Sequence, residues 1–146
     1  MLTDEVIARL RDEAPAFVSV DGAAELASVM KGGRAPNRMP AAFVFSAGLR
    51  ARPADAVAGL YRQHLAEATG VLVVAAAAGD ARGGTAAARA ETLCGTVIDV
   101  LAGWSPDVGD VIGPMELVRA ELLGLEAGVV FYQVTFETAR QLRIVR

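Results

Sequence analysis

The last third of the chain alternates apolar and polar residues, and that alternation leaves little choice of local structure. Val118, Ala120 and Leu122 are interleaved with Arg119 and Glu121. Past Glu126-Ala127-Gly128 the pattern resumes, with Val130, Tyr132, Val134 and Phe136 on one phase and Phe131, Gln133, Thr135 and Glu137 on the other. Successive side chains of a strand point to opposite faces, so a period of two marks a strand with one face turned inward. Gly128 is free to take the positive φ that a tight turn asks for. The segment is predicted to be a β-hairpin with one buried side and one mixed side, and Arg140 to Arg146 to extend its second strand.

A second constraint comes from Val71-Leu72-Val73-Val74, which is apolar on both phases, the pattern of a central strand covered on both sides. It is read as part of one long strand from Val57 to Ala77, or of two joined by a bend near Gly70. Tyr61-Arg62-Gln63-His64 is polar and is expected nearer an edge or a partner. Phe17 to Val20 and Ala42 to Phe45 read as short strands, and Arg50 to Ala56 as a loop around Pro53.

Three helices are predicted. Thr3 caps the first, Asp4 and Glu5 occupy its positively polarised first turn, Val6, Ile7 and Leu10 form its apolar side, and Pro15 ends it. Asp21 caps the second, with Leu26, Val29 and Met30 on one side and Gly32-Gly33 stopping it. The third and longest, Thr85 to Ala102, carries a regular stripe of Ala86, Ala90, Leu93, Cys94, Val97, Ile98 and Leu101. Gly103 suits its C-terminal cap, and Pro106 forbids continuation. The fold class expected is α+β: a mixed, mainly antiparallel sheet with two to three helices packed on it and a C-terminal β-hairpin, in a single domain over residues 1–146.

Composition narrows the function classes. With 146 residues, 53% of them hydrophobic, the chain can bury a core without metal or disulfide. The net charge is −3 and the pI about 5.1, which gives no basic surplus for sequence-independent nucleic-acid binding. Met1 to Glu5 has no basic and apolar signal-peptide pattern, and the longest apolar run, Val71 to Ala78, falls far short of the roughly 20 residues of a membrane span. A soluble cytoplasmic protein is expected, without membrane partners.

Catalytic constellations are scarce. The chain has one histidine, His64, and one cysteine, Cys94, too few for a zinc site. A His64–Cys94 dyad would need a reactive thiol, and Cys94 stands on an apolar helical stripe where buried inert thiols are ordinary. No Gly-x-Ser-x-Gly elbow is present. Gly79-Asp80-Ala81-Arg82-Gly83-Gly84 lies between a strand and a helix, where phosphates can bind, but Gly83-Gly84-Thr85 lacks the lysine of a phosphate loop. Asp107 and Asp110 sit among Ser105, Pro106 and Gly109 and read first as turn formers. No cofactor, metal or catalytic residue is expected.

The order of landmarks resembles a known family. An N-terminal helix precedes Pro40-Ala41-Ala42-Phe43-Val44, then Arg62-Gln63, Val71-Leu72-Val73-Val74 and Gly79 to Gly84. The long helix ends in Leu101-Ala102-Gly103-Trp104-Ser105-Pro106, and Tyr132-Gln133-Val134-Thr135-Phe136 follows. Together, over nearly the whole chain, these resemble the tail terminator proteins of long-tailed bacteriophages. The resemblance implies a non-enzymatic virion subunit, assembled in the host cytoplasm, that forms a ring, commonly a hexamer, at the head-proximal end of the tail tube. Such a ring stops tube polymerisation and offers the head-joining surface. The implied partners are further copies of the chain, the tail tube protein and a neck or connector protein, with DNA passing through the lumen.

Ring closure needs one patch to meet a different patch on the next copy. Phe131 and Gln133, on the exposed face of the C-terminal strand, are candidates for one side. Arg34, Arg38, Arg50 and Arg52 fall in loops at either end of one short strand and are candidates for the other side or for the lumen. Rival readings are another neck or head-completion subunit, a small nucleotide-binding module or enzyme using Gly79 to Gly84, and an accessory interaction domain of a bacterial cell.

Overall fold

A computed structural model of the protein describes residues 2–32, 36, 38–76, 84–126 and 128–146. In chain order these form α1 (Leu2–Glu13), β1 (Ser19–Asp21), α2 (Ala23–Gly32), β2 (Ala41–Ala51), β3 (Asp55–Val57), β4 (Leu60–Ala76), α3 (Gly84–Leu101), β5 (Glu116–Glu126) and β6 (Val129–Val145). One sheet runs in the order β1-β2-β4-β6-β5, with β3 also paired to β4. Only β1 and β2 are parallel. The expected α+β class, the mainly antiparallel sheet and the C-terminal hairpin are all present.

The sheet divides two cores. On its helical face, Val6 and Leu10 of α1 and Leu93, Cys94, Val97 and Leu101 of α3 pack on Val44, Val71, Val73, Val134 and Phe136. On the reverse face, Phe43, Leu72, Val74 and Val129 lie under Leu26 and Val29 of α2. The two phases of Val71 to Val74 are thus both buried, as their composition required. Burying each such side chain contributes on the order of 1.5–3 kcal/mol.

Several expectations are corrected. α1 begins at Leu2, so Thr3 lies inside it. Gly22, not Asp21, caps α2: its carbonyl accepts from Leu26 N at 3.1 Å, and its N–H donates to Glu25 Oε2 at 3.2 Å. This is the return half of a capping box, and it frees Asp21 to end β1 and pair with Arg11. Met30 is exposed rather than packed. Arg50 belongs to β2, which continues to Ala51, and Asp55–Val57 forms a strand where a loop was expected. β4 runs unbroken through Gly70, and Tyr61 and Arg62, expected nearer an edge or a partner, lie between β3 and β6. The turn entering β4 uses Ala58 (φ 36°) and Gly59 (φ 86°), the two positive-φ positions of a tight hairpin. The strand-to-helix turn at Gly79 to Gly84 lies, up to Gly83, outside the described residues.

Strand and helix lengths do not match. β4 and β6 each have 17 residues, about 55 Å of strand, whereas the 18 residues of α3 span about 27 Å. The helical layer therefore covers only part of the sheet. Residues 46–66 and 139–146, the far ends of β2, β4 and β6 together with β3, contain no buried side chain. They form a bare arm projecting beyond the core.

Candidate assembly surfaces

The two edges of the sheet are finished differently. At β1 the edge is closed by arginines. Arg11 Nε donates to Val20 O at 3.0 Å, Arg38 Nη2 donates to Val18 O at 3.1 Å, and Arg11 also pairs with Asp21 at 3.3 Å. Such a short edge strand with charged side chains on its carbonyls discourages another strand from adding there.

At β5 the edge is open. The strand is 11 residues long, and Leu117, Val118, Leu122, Leu123 and Leu125 are each 44–55% exposed. Its pairing with β6 slips at two bulges, between Leu117 and Arg119 and between Leu122 and Gly124. Those slips set the faces. Leu117, Ala120, Leu122 and Leu125 stand opposite Phe136, Val134, Tyr132 and Val130, and so share the helical face, while Arg119 and Glu121 turn to the reverse face. The hairpin side expected to be buried is buried in β6 but exposed in β5. A long edge strand with a row of bare aliphatic side chains marks an interaction surface.

The arm is two-sided in the same sense. Leu49, Leu65, Leu142 and Ile144 fall on the helical face, and Arg50, Arg62 and Arg143 on the reverse face. Arg50 of β2 pairs with Glu137 of β6 at 3.0 Å, reaching across the intervening β4, and Arg62 pairs with Asp55 at 3.0 Å across the β3–β4 pair.

A partly buried ionic joint fastens the base of the arm. Glu67 is 7% exposed, and Arg140 donates to it through Nη1 at 2.6 Å and to Asp110 through Nη2 at 2.6 Å. The hydrogen bond to Asp110 raises the pKa of the guanidinium; burial opposes this, and the bond and charge of Glu67 add to it. The segment carrying Asp110 is itself laced to β6, with Ile112 N donating to Ala139 O at 3.0 Å and Gln141 N donating to Asp110 O at 2.9 Å. Asp110 is thus a structural anchor rather than a turn former alone.

The Gly-Trp-x-Pro segment after α3 has a comparable role. Gly103 takes φ 79° and ends the helix. Trp104 lies under the guanidinium of Arg9, 4.8 Å from ring centroid to Cζ, while Arg9 Nε donates to Val100 O at 2.8 Å. Met115 N donates to Trp104 O at 2.8 Å, leading the chain into β5.

The sequence-expected site residues are not gathered in one place. Arg38 precedes β2 and Arg50 lies near its far end, so roughly 30 Å of strand separates them. The expected patch rested on a four-residue strand and does not form between these two. Arg38 is spent on the β1 edge. Arg52 stands in the arm, its N–H donating to His64 O at 3.0 Å. Arg34 lies outside the described residues. Phe131 is half-buried against the reverse-face core, and Gln133 Nε2 donates to Thr135 Oγ1 at 3.3 Å. Neither is fully exposed as anticipated. Plain alternation, with no bulge, assigns Leu122 to the core and sets Leu117 and Leu125 beside Arg119 and Glu121 on the opposite side, so the row is not apparent from the sequence.

His64 and Cys94 are far from forming a dyad. His64 is exposed on the reverse face of the arm, whereas Cys94 is buried on the sheet-facing side of α3. Burial, with a smaller contribution from the Glu91 charge, pushes the Cys94 thiol up to about 12, leaving it protonated and unreactive. Among the described residues no three His, Cys, Asp or Glu side chains cluster to hold a metal, and no helix is long and apolar enough to cross a membrane.

Comparison with known proteins agrees with this picture. A chain in the virion of a native gene transfer agent particle superimposes with a TM-score of 0.63 at 20% identity, covering 97% of this chain and 95% of that one. That likeness shows a shared fold. No curated protein matches. The model of the phage tail terminator family matches residues 1–146, the full chain, and the protein therefore belongs to that family of phage tail structural proteins.

Proposed function

We propose that the chain, acting as one domain over residues 1–146, closes the head-proximal end of a phage tail tube as a ring of identical copies, commonly six. The ring halts tube polymerisation and presents the surface that joins the head. The observation that carries this reading, beside the family, is the asymmetry of the sheet edges. β1 is sealed by Arg11 and Arg38, while β5 leaves Leu117, Leu122 and Leu125 bare, so the subunit offers one open edge to a partner. Its further partners are the tail tube protein on one side and a neck or connector protein on the other. DNA passes through the lumen, and assembly occurs in the host cytoplasm before the subunit enters the virion.

Electron microscopy of particles made without this gene tests the reading. Overlong tails lacking heads are expected. Tails of normal length that fail to join heads would instead make the chain a neck or completion subunit. Normal infectious particles would remove it from tail assembly altogether.

A further inference from the structure

We infer that neighbouring copies join head to tail, the open β5 edge of one receiving the bare arm of the next. The inference rests on the ring reading for its closure, but its argument comes from the two surfaces. Both are unburied parts of a sheet, and both sort their residues in the same way. The β5 edge carries Leu117, Leu122 and Leu125 on the helical face, and the arm carries Leu49, Leu142 and Ile144 on that same face.

Charge supports the same pairing. Segment 116–126 holds three glutamates against one arginine. The arm, residues 46–66 and 139–146, holds Arg52, Arg143 and Arg146 in addition to Arg50 and Arg62, which pair with Glu137 and Asp55, and Arg140, which is engaged at its base; Asp55 is its one acidic residue. Set side by side with their faces aligned, the two surfaces continue one apolar layer on one side and bring acidic segment to basic segment on the other. Opposite charges steer and orient such an encounter, while two β5 edges brought together would place like charges against each other.

The positions on the subunit allow it. β5 pairs with β6 only as far as Glu137, residues 110–112 pair alongside Ala139 to Gln141, and the arm continues outward past them. One copy can therefore use both surfaces at once, which is the requirement for a heterologous contact that propagates and closes into a ring. The β1 edge, capped by Arg11 and Arg38, takes no part.

Cysteine cross-linking of the full chain decides it, since the native Cys94 is buried and inert. Leu117→Cys, Leu122→Cys or Leu125→Cys is combined with Leu49→Cys, Leu142→Cys or Ile144→Cys in one chain. Each variant is checked for native circular dichroism and oxidised after assembly, with native mass spectrometry counting the copies. At least one combination should give a ladder of covalent dimer, trimer and larger species ending at the ring size, with its single-cysteine parents uncoupled. Rings that form while no combination gives a ladder would overturn the head-to-tail pairing and leave the ring reading standing. A covalent dimer from a β5 cysteine alone would show a two-fold contact and also overturn it. A chain that forms no ring, free or with tail tubes, would remove the ring reading and this pairing together.

Discussion

Arg140 on β6 and Glu67 on β4 meet across the strand pair at 2.6 Å, where the buried body of the sheet gives way to the bare arm. Asp110 completes the joint from the segment before β5. Removing Arg140 from this partly buried pair strands the buried Glu67 charge in a poorly solvated site, which is costlier than losing the pair as a whole. Arg140→Ala is expected to lower unfolding free energy by about 2–4 kcal/mol in urea titrations, with Arg140→Met/Glu67→Leu recovering part of the loss. A loss below about 0.5 kcal/mol for Arg140→Ala would show that the joint contributes like an ordinary surface ion pair.

Gly70 stands opposite Phe45 on the reverse face, and a Cβ there would collide with the Phe45 ring. The glycine is therefore a cross-strand seat for an aromatic ring, a device that lets a large side chain close over a residue with none. Gly70→Ala should cost about 1–3 kcal/mol through overpacking. In the Phe45→Leu background the same substitution should cost visibly less, and equal costs in both backgrounds would contradict the seat.

This position also shows where sequence reasoning stops. The apolar period of β4, the stripe of α3 and the return strand β6 were legible because each is set by burial within its own element. Gly70 reads as a bend from composition alone, since what occupies the space above it belongs to another strand. Arg50 reads as loop for a similar reason: β2 past Ser46 has no buried face to impose a period, and its strand pairing with β4 is a long-range fact. The β5 row was hidden by the extra residues at Val118 and Leu123, which shift the phase that a strict alternation assigns. Arg140 and Asp110 read only as parts of a strand extension and a turn, because their joint spans distant segments.

The Cys94 thiol, pushed up to about 12 by burial and more weakly by Glu91, predicts two linked behaviours. In the native protein a thiol reagent at pH 8 should react no faster than the chain unfolds, and rapid stoichiometric labelling would contradict its burial. The raised pKa also sets a sign. The folded state holds the thiol proton more tightly than the unfolded state, so this contribution to stability is complete below the ordinary value of 9.0 and is lost as pH rises toward about 12. In Cys94→Ala that alkaline loss should shrink, which denaturant midpoints measured between pH 8 and 11 would reveal.

The bare aliphatic row of β5 separates folding from assembly. Leu122 stands opposite Tyr132 at the sheet edge and is 55% exposed, so little of its apolar surface contributes to the monomer. Leu122→Asp should change unfolding free energy by no more than about 0.5–1 kcal/mol, the range of surface substitutions. At an interface, the same change places an unpaired carboxylate in a desolvated apolar contact, a far larger penalty than the monomer pays. The variant should therefore fold normally and remain monomeric under conditions where the parent assembles. Sedimentation velocity at matched concentration, beside a urea titration of each protein, checks both halves. Rings formed by Leu122→Asp as readily as by the parent would show that the β5 row faces something other than the neighbouring copy.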